Sequence, residues 1–441
     1  MSSPTAFDFF APCPRGLEAA LAAELAEIAQ RLPSAAGAPR FEAGAQVPGG
    51  VHFRGGWAEG MAANLHSRIA SRVLLKIAER PYRNEQDIYA LAAEQQWERW
   101  FSANETLRVD VTAIKSPLRS LEFATLRVKD AVCDRLRSVS GARPSVDTAQ
   151  PDVRIFAFLT ATACTLYLDT SGEPLFKRGW RLDKGAAPLR ENLAAGILRV
   201  TGWTPGTPLY DPMCGSGTFI AEAAQIALGV APGVERRFGF EKLKQYDVSA
   251  WQAMKVTALD AKRAASASRA QLPIFGSDIS GDMLEKARAN LARAGVPGLW
   301  LKQLDARAIV PPTDEPGIIV ANPPYGERIA VRGRGPRGEV REPRHGGREP
   351  GVESFSRAQP DAADSEFFRA FGDALKQRFT GWRAFVLTAD RSLPGQMRLR
   401  ESTKTPLFNG ALECRLFRFD LVAGSVKARP AQQDPQDAAG E

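Results

Sequence analysis

Hydrophobic positions along the chain fall into short apolar runs separated by amphipathic stretches, a pattern that predicts an α/β protein. A first run, Phe7 to Ala11, precedes a helix carrying Leu17, Leu21, Leu25, Ile28 and Leu32 on one stripe. Gly37 to Gly50 is rich in Ala, Gly and Pro and reads as loop, with Val51 to Phe53 a short strand after it. From Gly56 the pattern alternates, with a helix around Ser67 to Glu79, strands around Leu107 to Ile114, Val153 to Leu159 and Ala163 to Leu168, and a helix over Leu118 to Leu136. Pro188 to Val200 reads as another helix, and Arg236 to Ser268 as a charged, mostly helical segment.

The second half repeats one theme: an apolar run, a polar or glycine-rich turn, then a helical stripe. Leu209-Tyr210 leads into a helix with Phe219, Ile220, Ala223, Ala224 and Ala227. Pro273 to Asp278 leads into one with Leu284, Ala287, Leu291 and Ala294. Leu299 to Leu304 and Gly317 to Ala321 are further strands. Phe367, Phe371 and Leu375 mark a helix ahead of a strand at Arg383 to Thr388. Asn409-Gly410 between Thr405 to Phe408 and Leu412 to Leu421 is a hairpin signal. Residues 330–363, arginine-, glycine- and proline-rich with few apolar side chains, read as a disordered insertion, and the polar tail 426–441 as disordered.

Two turns carry the chemistry. Asp211-Pro-Met-Cys-Gly-Ser-Gly-Thr218 joins a strand to a helix, where Gly215 and Gly217 let backbone approach a ligand and the helix start offers N–H groups. It is no phosphate cradle, since Gly217 rather than Lys precedes Thr218, and no dinucleotide fingerprint, since Ile220 stands where a third glycine belongs. A nucleoside-like ligand without pyrophosphate fits, and the Asp211 carboxylate suits a cationic one such as S-adenosylmethionine. The Gly-Ser-Gly is equally compatible with a plain structural turn. Asp278 and Asp305, each ending a strand, suit ribose hydroxyls and an adenine amino group, or serve as helix N-caps. In Asn322-Pro323-Pro324-Tyr325 the prolines fix the backbone, carbonyls and the Asn322 amide oxygen can accept from an amino group, and Tyr325 offers a ring for stacking; a plain proline turn is the lesser alternative.

Composition adds a bias toward polyanions. The 441 residues carry a net charge of +8, and 44% are apolar, ample for two or three packed domains. Arg119, Arg127 and Lys129 are interleaved with Phe123 and Leu126, which suits RNA or simply the polar face of a helix. Lys177, Arg178 and Arg181 flank Trp180 in a second basic cluster. Five scattered cysteines lack metal-ligand spacing, so no metal is expected and a reducing cytoplasm is the simpler home. No signal peptide is visible and no apolar run approaches membrane-spanning length.

The two turns together, with Asn322-Pro-Pro-Tyr-Gly-Glu-Arg328 in that order, resemble class I S-adenosylmethionine-dependent methyltransferases acting on exocyclic amino groups. Ala11-Pro-Cys-Pro-Arg-Gly-Leu-Glu18, Ser67 to Arg72, Val128 to Ala131, Asp169-Thr-Ser-Gly172, Lys177-Arg-Gly-Trp-Arg181 and Ala187 to Glu191 are similar to the large-subunit ribosomal RNA guanine-N2 methyltransferases. The resemblance implies a Rossmann-like seven-stranded methyltransferase sheet preceded by ferredoxin-like and THUMP α+β domains, with segments at 1–55, 56–170 and 171–425. It places the cofactor against Asp211, Cys214, Gly215, Gly217, Thr218, Asp278, Ile279, Asp305 and Ala306, and the target base against Asn322 to Tyr325. Arg119, Arg127, Lys129, Lys177, Arg178, Arg181 and Arg328 would meet RNA, here 23S ribosomal RNA in an assembling large subunit. Alternatives are transfer RNA guanine-N2 methylation, DNA adenine-N6 methylation, and a catalytically silent RNA-binding module. Bifunctional relatives carry a second methyltransferase domain that this sequence does not include, so a second activity is expected to be absent or on another protein.

Overall fold

The computed structural model describes residues 6–33, 40–182, 189–267, 271–296, 298–323 and 362–422. The first half is one seven-stranded sheet with helices against it. In chain order it contains β1 (Phe7–Pro12), α1 (Glu18–Gln30), β2 (Glu42–Val47), β3 (Gly50–Gly55), α2 (Trp57–His66), β4 (Leu74–Pro81), α3 (Glu85–Ala93), β5 (Leu107–Ala113), α4 (Leu121–Ser140), β6 (Val153–Leu159) and β7 (Ala163–Asp169). The strand order is β2-β3-β1-β4-β7-β6-β5. Short pairing of β1 with β4, Phe9 to Leu75 and Phe10 to Leu74, makes the first three strands continuous with the last four.

Two readings of this half are corrected. The helix expected over Ser67 to Glu79 ends instead at His66, and Leu74–Pro81 is a strand pairing with β1 and β7. Ile69, Val73 and Leu74 are all buried, and their spacing fits a helical stripe. A register shift between Lys76 and Ala78 interrupts the alternation that would have revealed a strand. Part of the loop expected at Gly37 to Gly50 is β2, an edge strand so exposed that it carries no hydrophobic period. Helix α3 was not anticipated either; it starts at Asn84, whose side chain accepts from the backbone N–H groups of Gln86 and Asp87.

The second half holds the site. Its elements are α5 (Glu191–Val200), β8 (Leu209–Asp211), α6 (Thr218–Ala227), α7 (Val248–Ala267), β9 (Ile274–Asp278), α8 (Gly281–Arg293), β10 (Trp300–Gln303), β11 (Ile318–Ala321), α9 (Ala362–Arg378), β12 (Arg383–Thr388), α10 (Leu393–Gln396), β13 (Thr403–Asn409) and β14 (Leu412–Asp420). The order β10-β9-β8-β11-β12-β14-β13 is parallel through β12, and β13–β14 is the expected hairpin. Every residue of β8 and β11 is buried, as helix-covered parallel strands require. Strand order reverses between β8 and β11, and the crevice outside the carboxyl ends of such a pair is where open α/β sheets bind ligands.

The halves are packed together. Gly196 of α5 lies so close to α1 that a Cβ there would meet Leu17 at 2.3 Å. Glu222 of α6, fully buried, is bridged by Arg68 at 3.0 Å and by Arg178 at 3.3 Å. Arg178 donates in turn to the Arg68 carbonyl at 2.6 Å. At the other end, the backbone N–H of Phe408 in β13 donates to the Arg15 carbonyl at 3.1 Å, and the Arg15 guanidinium lies over the Phe408 ring.

Candidate functional site

The turn after β8 is shaped by its two glycines, with φ of 53° at Gly215 and 84° at Gly217, a region that side chains disfavour. A Cβ on Gly217 would also press against Ala287 of α8 at 3.2 Å. Neighbouring elements clamp the loop. Gly215 N–H donates to the Asp278 carboxylate at 2.9 Å, Cys214 N–H to the Ser277 carbonyl at 2.9 Å, and the buried Asn290 amide to the Ser216 carbonyl at 3.0 Å. Asn290 escaped the sequence reading; its one signal is an amide beside the apolar stripe of α8.

A cleft of about 90 Å³ unites the two turns, bounded by Asp211, Met213, Gly215, Thr218, Met283 and Asn322. Asp211 is 2% exposed and accepts from Met213 N–H at 3.1 Å. Burial pushes its carboxyl well above the usual range and the charge of Asp278 adds to the effect, against the smaller opposing pull of the Met213 bond. In the same cleft, the Asn322 amide oxygen is buried with no hydrogen-bond partner among the described residues. Among the described residues the site thus holds a desolvated acid without a paired cation and an acceptor without a donor, each costly to leave unmatched. Cys214 is buried beside both acids, and desolvation first, then their charges, hold its thiol protonated, which disqualifies it as a nucleophile.

Asp278 accepts from the N–H groups of Gly215 and Ser280, each at 2.9 Å, and each of its oxygens retains a further acceptor site. The next residue, Ile279, is 58% exposed, an apolar face beside that carboxylate. Asp305 is already engaged: Arg307 Nε donates to Oδ1 at 3.0 Å and Nη2 to Oδ2 at 2.6 Å, and these bonds lower its pKa. Ala306 is buried. Pro323 is buried behind Asn322; Pro324, Tyr325 and Arg328 lie outside the described residues, as does the whole stretch 330–361.

The basic residues divide sharply. Arg178 and Arg181 are 7% and 9% exposed, the first bound to Glu222, the second to Glu191 at 2.9 Å. Their assignment to an RNA surface is therefore corrected: they tie the linker to α6 and α5. Lys177 is exposed and pairs with Glu173. On α4, Lys129 pairs with Asp130, whereas Arg127 lies over the Tyr89 ring at 4.3 Å and Arg119 is exposed before the helix. Beside them Phe123 and Leu126 are 50% and 44% exposed, so cations and apolar surface do share this face.

A larger cavity, about 250 Å³, lies between α1, α5 and Gly229 to Pro232. It is lined by Glu27–Arg199 and Arg68 and contains no residue of either turn. The smaller cleft is lined by residues of both turns.

Comparison with known proteins matches three successive segments of the chain. Family models for an RlmL ferredoxin-like domain, a THUMP domain and an RMKL-like methyltransferase domain match residues 8–74, 82–169 and 178–336. The chain is 37% identical over 440 residues to ribosomal RNA large subunit methyltransferase K/L of Aeromonas hydrophila, covering 96% of this chain and 55% of that protein. It thus spans about half the length of this relative. It is 35% identical to "Putative RNA methyltransferase slr0064" of Synechocystis, covering 95% of this chain and 98% of that one. Among solved structures, SMU.472, "a putative methyltransferase complexed with SAH", superposes with a TM-score of 0.77 at 26% identity, covering 96% of this chain and 99% of that one. With ferredoxin-like, THUMP and RMKL-like domains in this order, and matched end to end by slr0064, the chain belongs to the THUMP-bearing RMKL-like methyltransferase family.

Proposed function

We propose that the chain transfers a methyl group from S-adenosylmethionine to the exocyclic N2 amino group of a guanine in 23S ribosomal RNA. One observation carries the reading: a buried Asn322 oxygen with no partner among the described residues lines the same cleft as a buried Asp211 with no paired cation among them. The relatives named as large-subunit ribosomal RNA methyltransferases supply the substrate class, and the SAH-bound structural relative supplies the cofactor. The exposed face of α4 around Arg119, Arg127 and Phe123 would hold the RNA.

The residues present fit the cofactor. Asp211 would receive its ammonium group, Gly215 and Gly217 leave room for its methionine end, and Asp278 with Ile279 would meet ribose and base. For Asp305 to reach an adenine amino group, the Arg307 pair must open. When bound, the cofactor supplies an electrophilic methyl on a sulfonium. The protein's task is to prepare the amine, whose lone pair is delocalised into the guanine ring. Asn322 Oδ1 and the Pro323 carbonyl, accepting from the two amino hydrogens, would draw them out of plane and localise that lone pair on the nitrogen. A nitrogen so prepared would take the methyl that the bound cofactor supplies, and its surplus proton would pass to solvent. Orientation within the cleft provides much of the acceleration.

The test is methyl transfer from labelled cofactor to ribosomal RNA, transfer RNA and DNA, with the modified base mapped. Label in guanine N2 of 23S RNA supports the proposal; label confined to DNA adenine or to transfer RNA overturns the substrate. Asn322→Ala should lower kcat by about 100-fold or more while cofactor affinity holds; full activity in that variant removes the site.

A further inference from the structure

We propose that the cleft between the first turns of α9 and the helix α10 is a phosphate-binding groove that grips the RNA backbone beside the target base, with Arg369 and Arg398 as its cations. The inference rests on RNA being the substrate. Its location follows from topology. Strands β11 and β12 are parallel neighbours, Ala321 paired with Val386, so both chains leave the sheet at the same edge. Asn322 follows the first, and the turn at Asp390 leading into α10 follows the second. Helix α9, the crossover between them, begins at that edge. Open to solvent and about 720 Å³ in volume, the groove is lined by Ser365, Glu366, Arg369, Ser392, Gln396 and Arg398.

Arg398 occupies an expensive position. After α10, its N–H donates to the Gly395 carbonyl and that of Leu399 to the Pro394 carbonyl, both at 3.1 Å. These two bonds define a helix end whose next residue is left-handed and ordinarily glycine. Here φ is 50° and the residue is arginine. Nothing local recovers the strain, since the exposed Arg398 guanidinium makes no ion pair or hydrogen bond among the described residues, and neither does that of Arg369. The scaffold beneath is rigid: Leu393 and Met397 are fully buried, and a Cβ on Gly372 of α9 would strike the Met397 carbonyl at 2.2 Å.

Nearby acids do not cancel the cations. Asp390 is held in its own turn by Ser392 N–H, Ser392 hydroxyl and the Gln396 amide, at 2.8, 2.7 and 2.7 Å. Glu413 is shared by Arg391 and Arg415. Glu366 stands on the rim, where its charge is felt by Arg307. Among the described residues lining the groove, two cations meet one rim carboxylate, with Ser365 as a hydroxyl donor, which favours an anion of extended form.

The experiment compares full-length wild type, Arg398→Gly, Arg369→Ala and the double variant. Read-outs are thermal unfolding, calorimetric cofactor binding, and binding of a 23S RNA fragment between 50 and 200 mM salt. Arg398→Gly should unfold at a higher temperature, because glycine relieves the backbone, and should bind cofactor as wild type does. Each single variant should bind RNA more weakly and lower the slope of log affinity against log salt by about 0.7 to 0.9, the double by about twice that. Slopes equal to wild type, in protein that binds and methylates the RNA, overturn the groove alone. Wild type that binds no RNA overturns the proposed function and the groove with it. Competition by millimolar inorganic phosphate as effective as RNA itself would overturn the polymer assignment.

Discussion

Asp211 shows how a single carboxylate can couple ligand binding to proton release. Its carboxyl is held well above the usual range by burial, so the free protein retains a proton there to higher pH than an exposed aspartate would. A cationic ligand stabilises the ionised form, and affinity for S-adenosylmethionine should therefore rise with pH through that elevated pKa, by up to about tenfold per unit. Titration calorimetry across pH checks it, and Asp211→Asn should flatten the dependence. Because the folded pKa is raised, ionisation is penalised in the fold, and stability without ligand falls as pH rises through it. That the turns bearing Asp211, Gly215 and Asn322 are special was legible from the chain, because glycine spacing and a proline pair leave few backbone alternatives, and the structure brings the three to one cleft. Arg178 and Arg181 were misread, because residue type reports charge and not burial. Only the packed structure places Glu222 and Glu191 against them.

At the level of elements, the strands and helices of the catalytic half were recovered because buried parallel strands are continuous apolar runs with helices between. The failures lie where tertiary pairing overrides local pattern. The bulge in β4 disguises a strand, and β2, with almost no buried side chain, is a strand only because β3 supplies its partners. Helix α6 carries the other consequence. Its N-terminus follows the glycine loop, while Glu222 on its buried face joins Arg68 of the first half and Arg178 of the linker. Removing that carboxylate leaves two guanidinium groups buried without their counter-charge. Glu222→Ala should cost about 3–5 kcal/mol in chemical denaturation. Arg199→Ala, which breaks the half-exposed pair with Glu27, should cost about 1 kcal/mol or less.

Over the whole molecule, the junction between halves carries a pH sensor of stability. His66 ends α2 in the 250 Å³ cavity, and burial, with the charges of Arg31 and Arg68, lowers its pKa from 6.5 to about 4. The depressed value means that folding favours the neutral ring. Its contribution is intact above about pH 6.5 and is lost as pH falls toward 4, by up to about 3 kcal/mol. Glu24, whose carboxyl burial raises, and Glu27 share this cavity. The clean measurement is thus the difference between wild type and His66→Gln in denaturant midpoint at pH 7 and pH 4.5. Wild type should lose more than the variant on acidification.

The Arg68–Glu222–Arg178 junction has one last implication. It fixes the face of α4 relative to the glycine loop, so a substrate held at the first and modified at the second must bridge a span the protein sets in advance. On the proposed reading the enzyme works as a caliper: moving the recognised RNA element by even a single base pair along its helix should shift which guanine is reached, or leave none within range.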